Sequence, residues 1–197
     1  MQARRTYLRS VAAVVTGVTL AGCSGEERTT ATPTPGDNPA VGDVQQRGDL
    51  RLMSEAFENS GPIPDRYSRD GENLNPPLSV ANVPDGAATL ALVVDDPDAV
   101  AVAGEVFLHW LVWNIPASTT DIPADWTPGE AVVGPNDFGN RRYDGPAPPD
   151  GEHTYRFKCF ALDRALELPG MANKRDVGTA MDGHVLAQTQ LTGTYAP

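Results

Sequence analysis

The sequence predicts an all-β domain, a sandwich or barrel with few helices, and three observations point there. Apolar runs of strand length, rich in Val, Leu and aromatic residues, recur at Leu50–Met53, Thr89–Val94, Val106–Asn114 and Thr154–Leu162. The stretches between them are crowded with Pro, Gly, Asn and Asp, the residues that close turns. Long helical periodicity is scarce, and no internal repeat is visible. Each element follows from its residues. The run Phe107-Leu108-His109-Trp110-Leu111-Val112-Trp113-Asn114-Ile115-Pro116 is short, aromatic and β-branched and is closed by Asn-Ile-Pro, so it reads as a strand buried on both faces. In Tyr155-Arg156-Phe157-Lys158-Cys159 the residues Tyr155, Phe157 and Cys159 share one face of an alternating strand. The exception is Val185-Leu186-Ala187-Gln188-Thr189-Gln190-Leu191, which reads as a short helix before Gly193. From Asp49 onward the chain has single-domain length, enough for a substantial core.

The N-terminus reads as an address. Arg4 and Arg5 precede an apolar run from Val11 to Leu20, too short to cross a bilayer as a mature helix. The paired arginines look like a twin-arginine export signal over residues 1–22, and Leu20-Ala21-Gly22-Cys23 resembles the box at which lipoprotein signals are cut and the cysteine lipidated. A generic export signal with an incidental cysteine is the alternative. With Cys23 lipidated, the protein is expected on the outer face of the cell membrane. Residues 23–48, with Thr29-Thr30-Ala31-Thr32-Pro33-Thr34-Pro35 and almost no large apolar side chain, read as a flexible tether. The domain then spans 49–197.

The whole chain carries a formal charge of −11; residues 1–22 contain Arg4, Arg5, Arg9 and no acid, so their removal leaves −14. Such a surface repels nucleic acid and anionic headgroups as nonspecific partners. It also suits salty surroundings, where screening removes self-repulsion. Cys23 and Cys159 are the only cysteines, so a lipidated Cys23 leaves no disulfide. Nothing basic is placed to activate Cys159 as a nucleophile, and it reads as a structural thiol.

The chemistry concentrates in two places. Asp95-Asp96-Pro97-Asp98-Ala99 sets a carboxylate-rich turn just before the strand that carries His109. Downstream, Gly134-Pro135-Asn136-Asp137-Phe138-Gly139 leads through Tyr143-Asp144-Gly145-Pro146 to Gly151-Glu152-His153-Thr154-Tyr155. Taken singly, each has a bland reading: a core histidine at His109, an exposed turn residue at His153, an ordinary turn at Asp96-Pro97-Asp98 and a helix start at His184. Together with Ile63-Pro64-Asp65-Arg66-Tyr67-Ser68, Gly71-Glu72-Asn73-Leu74-Asn75-Pro76-Pro77 and Gly183-His184-Val185, their order and spacing resemble the phosphatidylethanolamine-binding protein family, in particular its prokaryotic, Raf kinase inhibitor-like branch.

That resemblance implies a Greek-key β-sandwich with a few short helices, one near the C-terminus. It also implies a small anion-accepting cavity lined by Asp96, Pro97, Asp98, His109, His153 and Tyr155, with Asn136, Asp137, Phe138 and Gly139 at its rim. Two positions depart from the family pattern: Val100 stands where a proline is usual, and Thr154 where a basic residue is frequent. Family members are linked to inhibition of kinases and proteases, but an exported chain does not meet a cytoplasmic kinase. The expected function is therefore a tethered binding module for a small phosphate-bearing or other anionic ligand, or for a partner protein's anionic group. No catalytic residue, metal or cofactor is assigned. The alternatives are a hydrolase using the same Asp/His/His cluster with a metal or as acid and base, and a structural or adhesive lipoprotein. Against hydrolysis, no His-Glu-x-x-His pair, Gly-x-Ser-x-Gly elbow or phosphate-cradling glycine loop occurs.

Overall fold

Two sheets form because the apolar runs are too short and too β-branched to pair with anything but one another. A computed structural model describes Asn38, Ala40 and residues 42–197. Residues 1–22, expected to be a signal peptide, and Cys23 lie outside the described residues. Nine strands follow in order: β1 (Arg51–Met53), β2 (Gly61–Pro62), β3 (Leu78–Ala81), β4 (Thr89–Asp96), β5 (Phe107–Pro116), β6 (Asp121–Ile122), β7 (Val132–Val133), β8 (His153–Leu162) and β9 (Val185–Tyr195). Two α-helices, α1 (Val100–Ala103) and α2 (Lys174–Met181), and a 3-10 turn at Asp65–Tyr67 complete the fold. One sheet runs β1-β3-β6 and the other β2-β9-β8-β4-β5-β7. All pairings are antiparallel except that of β2 with β9.

Leu52, Leu78, Val80 and Ile122 of the small sheet meet Leu92, Val94, Trp110, Val112, Phe157 and Cys159 of the large one in the main core. The other face of the large sheet buries Val93, Leu111, Trp113, Phe160 and Leu162 under Val177 and Met181 of α2. This two-sided cover is why every residue of β4 is buried and why its sequence runs apolar instead of alternating. Burying each of these large side chains contributes about 1.5–3 kcal/mol. Cys159 lies in the main core, where burial pushes its thiol up to about 12; it is a packing residue, as its sequence context suggests.

The helix near the C-terminus is present, but not where the sequence reading puts it. Residues 185–191 belong to β9, in which Val185, Ala187, Thr189, Leu191 and Gly193 are buried and alternate with less buried residues. The period is two, and the polar Gln and Thr positions mask it. The helix lies upstream: Asn173 caps α2 by accepting from the Arg175 and Asp176 backbone N–H groups, while Asp176 reaches back to the Asn173 N–H. His184 follows this helix instead of starting one, and its Nδ1 pairs with Asp163 at 3.1 Å.

The tether expected up to residue 48 gives way to docked chain well before it. Ala40 and Val44 are buried on α2's side of the sheet, Arg47 exchanges two backbone hydrogen bonds with Gln188, and Asn38 donates to the Arg175 carbonyl. A Cβ at Gly178 would collide with the Asn38 side chain, which explains a glycine inside α2. Under this arm lies a buried ionic cluster on the large sheet. Asp95, wholly buried, accepts from Arg156 Nε at 2.8 Å and from Lys158 Nζ at 2.8 Å, with Lys174 Nζ at 3.8 Å. Asp43 of the arm adds a contact to Arg156 at 2.9 Å. Because the Asp43 carboxylate is 70% exposed, Asp43→Ala is expected to cost under about 1 kcal/mol in denaturant titration.

Candidate functional site

Strand pairing brings the two chemical stretches of the sequence to one end of the large sheet. Asp96 closes β4 opposite Phe107, and β8, which begins at His153, runs beside β4. In the β4–β5 ladder Val94 faces Trp110 and Asp95 faces Leu108, so His109 is the extra residue of a β-bulge. Bulges re-aim a side chain out of the regular pleat, and here the bulge directs His109 toward Tyr155, with ring centroids 5.2 Å apart, and Phe138, 5.5 Å away.

The two histidines are shifted in opposite directions. His109 Nδ1 lies 2.8 Å from the Asp144 carbonyl and 3.1 Å from that of Gly145. Carbonyls only accept, so Nδ1 carries the hydrogen, and burial keeps the ring's pKa below the usual imidazole value despite those carbonyls and the Asp96 charge. At neutral pH its Nε2 therefore bears a lone pair, and it has no hydrogen-bond partner among the described residues. His153 is the reverse. Its Nδ1 is 2.7 Å from Asp96 and its Nε2 2.9 Å from Asp150. Burial opposes charge on this ring, but the two carboxylates together outweigh it and hold the pKa above the usual value. In a pH titration of ring resonances, His153 should titrate above about pH 6.5 and His109 below it; the opposite order would contradict these assignments.

Asp96 does three jobs at once. Its Oδ2 meets His153, and its Oδ1 accepts from the Asp98 and Ala99 backbone N–H groups, shaping the turn that leads into α1. Pro97 sits inside that turn, and Val100 donates its N–H to the Pro97 carbonyl. Asp98, exposed, accepts the Thr154 backbone N–H. Tyr155 is wholly buried, and its hydroxyl, near Asp96, Asp98 and the Ala147 carbonyl, closes no hydrogen bond of good geometry with any of them. Burial and the Asp96 charge push its pKa upward, so it remains a donor.

The rim residues divide. Phe138 packs on His109 and Phe107 beneath the Arg69 guanidinium, which lies 4.1 Å above its ring. Gly139 turns the loop with φ of 81°. Asn136 and Asp137 are scaffold instead: Asn136 donates to the His109 carbonyl and to Asp144, and Asp137 accepts the Leu108 N–H. Two important residues carry no sequence signal of their own. Asp144, fully buried, accepts from Asn73, Asn136, Asn140 and Arg142 and thereby fixes the carbonyls that orient His109. Asp150 sits in an ordinary Pro-Asp-Gly turn. At Gly145, whose N–H meets Asn73 and whose carbonyl meets His109, a Cβ would run into the Tyr67 carbonyl, so Gly145→Ala should displace the loop and disturb His109.

The site as it stands is shut. The His153 ring lies between Asp96 and Asp150 with only 7% of its side chain exposed. A surface groove of about 450 Å³, lined by residues between Thr127 and Val133 and by Arg141, lies away from it. Among the described residues no three His, Cys, Asp or Glu side chains come together so as to hold a metal ion, and no helix is long and apolar enough to cross a membrane.

Comparison with known proteins agrees with this architecture. Residues 53–196 match the family described as phosphatidylethanolamine-binding protein. A UPF0098 protein of Methanothermobacter thermautotrophicus is 46% identical over 151 residues, 74% of this chain and 98% of that one. Another, of Pyrococcus horikoshii, is 37% identical over 164 residues, 79% and 80% of the two chains. Among solved structures, a phosphatidylethanolamine-binding protein homolog from Chlamydia trachomatis shows 36% identity and a TM-score of 0.71, covering 76% of this chain and 98% of its own. The E. coli protein YbcL, described as a member of the mammalian family, shows 30% identity and a TM-score of 0.69, covering 74% and 97%. With a family match over most of its length and such relatives, this chain belongs to the phosphatidylethanolamine-binding protein family, in its prokaryotic, Raf kinase inhibitor-like branch.

Proposed function

We propose that this chain is a membrane-tethered, extracytoplasmic binding module whose pocket takes a small phosphate-bearing ligand and leaves it chemically unchanged. The observation that carries this reading is a pair of open valences: the Tyr155 hydroxyl, a fully buried donor, and Nε2 of the buried His109 ring, an acceptor. A singly protonated phosphate matches both, since its P–O⁻ oxygens accept and its P–OH donates. Charge-assisted hydrogen bonds contribute about 1.5–3 kcal/mol each. Two of them, less the cost of immobilising the ligand, give weak binding, with Kd of order 1 mM for phosphate alone. The acidic surroundings of Asp98 and Asp150 oppose a simple anion but suit one that also carries an ammonium group. Phosphoethanolamine is therefore the preferred ligand over inorganic phosphate.

Isothermal titration of the full chain in detergent with phosphoethanolamine tests this. The affinity should rise as pH falls from 8 to 6, because the bound phosphate carries the proton that His109 Nε2 accepts, and binding should take up protons from buffer. Tyr155→Phe should weaken binding by about tenfold or more, the worth of one charge-assisted hydrogen bond. Release of inorganic phosphate during the titration would instead mean hydrolysis and would contradict a binding module. The tether is tested separately: Cys23→Ala should move the protein from the membrane fraction to the soluble one.

A further inference from the structure

We propose that Asp150 is a built-in competitor for the pocket, an intramolecular anion that a ligand must displace from His153; this rests on the binding reading above. Of the two nitrogens of His153, Nδ1 is committed to Asp96, which is itself tied into the turn before α1 through its other oxygen. Nε2 is the donor left for a ligand, and Asp150 holds it at 2.9 Å.

The two carboxylates differ in what fixes them. Asp96 is buried in β4, whereas the Asp150 side chain is 56% exposed on a turn, and the contact to His153 is its only hydrogen bond among the described residues. Next to it Gly151 has φ of 140°, a conformation that side-chain-bearing residues rarely adopt, so the turn is built around glycine at the point where Asp150 is presented. The neighbouring Thr154 offers no second cationic donor, and its backbone N–H is taken by Asp98. His153 Nε2 is thus the cationic donor for which an anion and Asp150 compete.

A tethered carboxylate three residues away competes at a high effective concentration, so it lowers the apparent affinity of any anion without lowering the intrinsic affinity of the site. Once displaced, the Asp150 carboxylate is placed at the mouth to meet an ammonium group. Displacement therefore costs a zwitterion less than a simple anion, and the device is selective as well as restrictive.

The test compares wild type, Asp150→Ala and Asp150→Asn in the full chain, with inorganic phosphate and with phosphoethanolamine. Phosphate should bind Asp150→Ala about tenfold more tightly than wild type and Asp150→Asn to an intermediate degree. Phosphoethanolamine should gain less than phosphate does, because its ammonium loses a partner. Without ligand, the His153 resonance should titrate at lower pH in both variants. Equal or weaker phosphate binding by Asp150→Ala, with saturable binding by wild type, overturns the competitor and leaves the pocket standing. No binding of either compound by any of the three proteins removes the pocket reading and the competitor with it.

Discussion

Replacing Asp95 by alanine is expected to destabilise the fold by about 3–5 kcal/mol, the usual cost of stripping the counter-charge from a buried pair. For a chain of this length that lowers the melting midpoint by roughly 6–20 °C. Asp95 is fully buried and bonds Arg156 and Lys158 at 2.8 Å each. Without it Lys158, fully buried too, keeps only the Ala40 carbonyl at 3.4 Å among the described residues. Even beside Asp95, burial pushes the Lys158 amine down to about 8. A lysine whose folded pKa is depressed binds fewer protons folded than unfolded, so its contribution to stability rises with pH between the folded value and about 10.5. The loss in Asp95→Ala should therefore shrink between pH 7 and 9. Adding Lys158→Met should recover part of the loss, since the uncompensated amine goes with it. Urea titrations of wild type and the two variants at both pH values check this, and a pH-independent loss would argue that Asp95 acts by packing alone.

The second large effect is at Asp144. Asp144→Ala removes the acceptor of Asn73, Asn136, Asn140 and Arg142. The partly exposed Asn140 and exposed Arg142 turn to water, whereas the buried Asn136 keeps the His109 and Arg142 carbonyls but loses its charged acceptor and gains no water, and about 3 kcal/mol of stability should go with the network. Binding should fail as well, because the 144–145 carbonyls that set the His109 tautomer are no longer held. Burial raises the Asp144 pKa, yet the surrounding donors outweigh it and hold the carboxyl below the usual range. The stability this supplies is present above about pH 4 and is lost as pH falls through the folded value. Asp144→Ala should accordingly flatten the acid limb of the stability curve, and Asp144→Asn, which keeps one acceptor oxygen, should do so with a smaller loss of binding. A variant that unfolds in acid as wild type does would place the acid-sensitive group elsewhere.

What the sequence could and could not disclose follows from range. β4 and β5 are legible because they are buried on both faces and so read as largely apolar runs, and β8 because Tyr155, Phe157 and Cys159 alternate with Arg156 and Lys158 before an apolar end. β9 is hidden because its inward positions include Thr189 and Gly193 and its outward ones are Leu186 followed by Gln and Thr, so a two-residue period looks like a polar helix. β2, β6 and β7 have two residues each, too few for any period. Likewise in the site, Asp96, His109, His153 and Tyr155 stand out as ionisable or polar groups in apolar strands. Asp144 does not, since its meaning depends on Asn73, 71 residues away. Nor does Asp150, whose Pro-Asp-Gly setting is that of an ordinary turn until His153 is seen beside it. The docking of Asn38, Ala40 and residues 42–48 is hidden for the same reason: the anchors are single residues, Ala40, Asp43 and Val44, meeting surfaces formed far along the chain.

The most direct measurement is nitrogen NMR of the full chain in detergent with ¹⁵N-labelled histidine, following Nε2 of His109 as phosphoethanolamine is added at pH 7. The chain has three histidines, so single substitutions assign each signal. Before ligand, His109 Nε2 should show the shift of an unprotonated nitrogen; on addition it should move, saturably, toward that of a hydrogen-bonded or protonated one, while His184 stays still. A His109 Nε2 that is already protonated without ligand, or that does not respond while His153 does, would contradict a phosphate pocket built on the open valences of His109 and Tyr155.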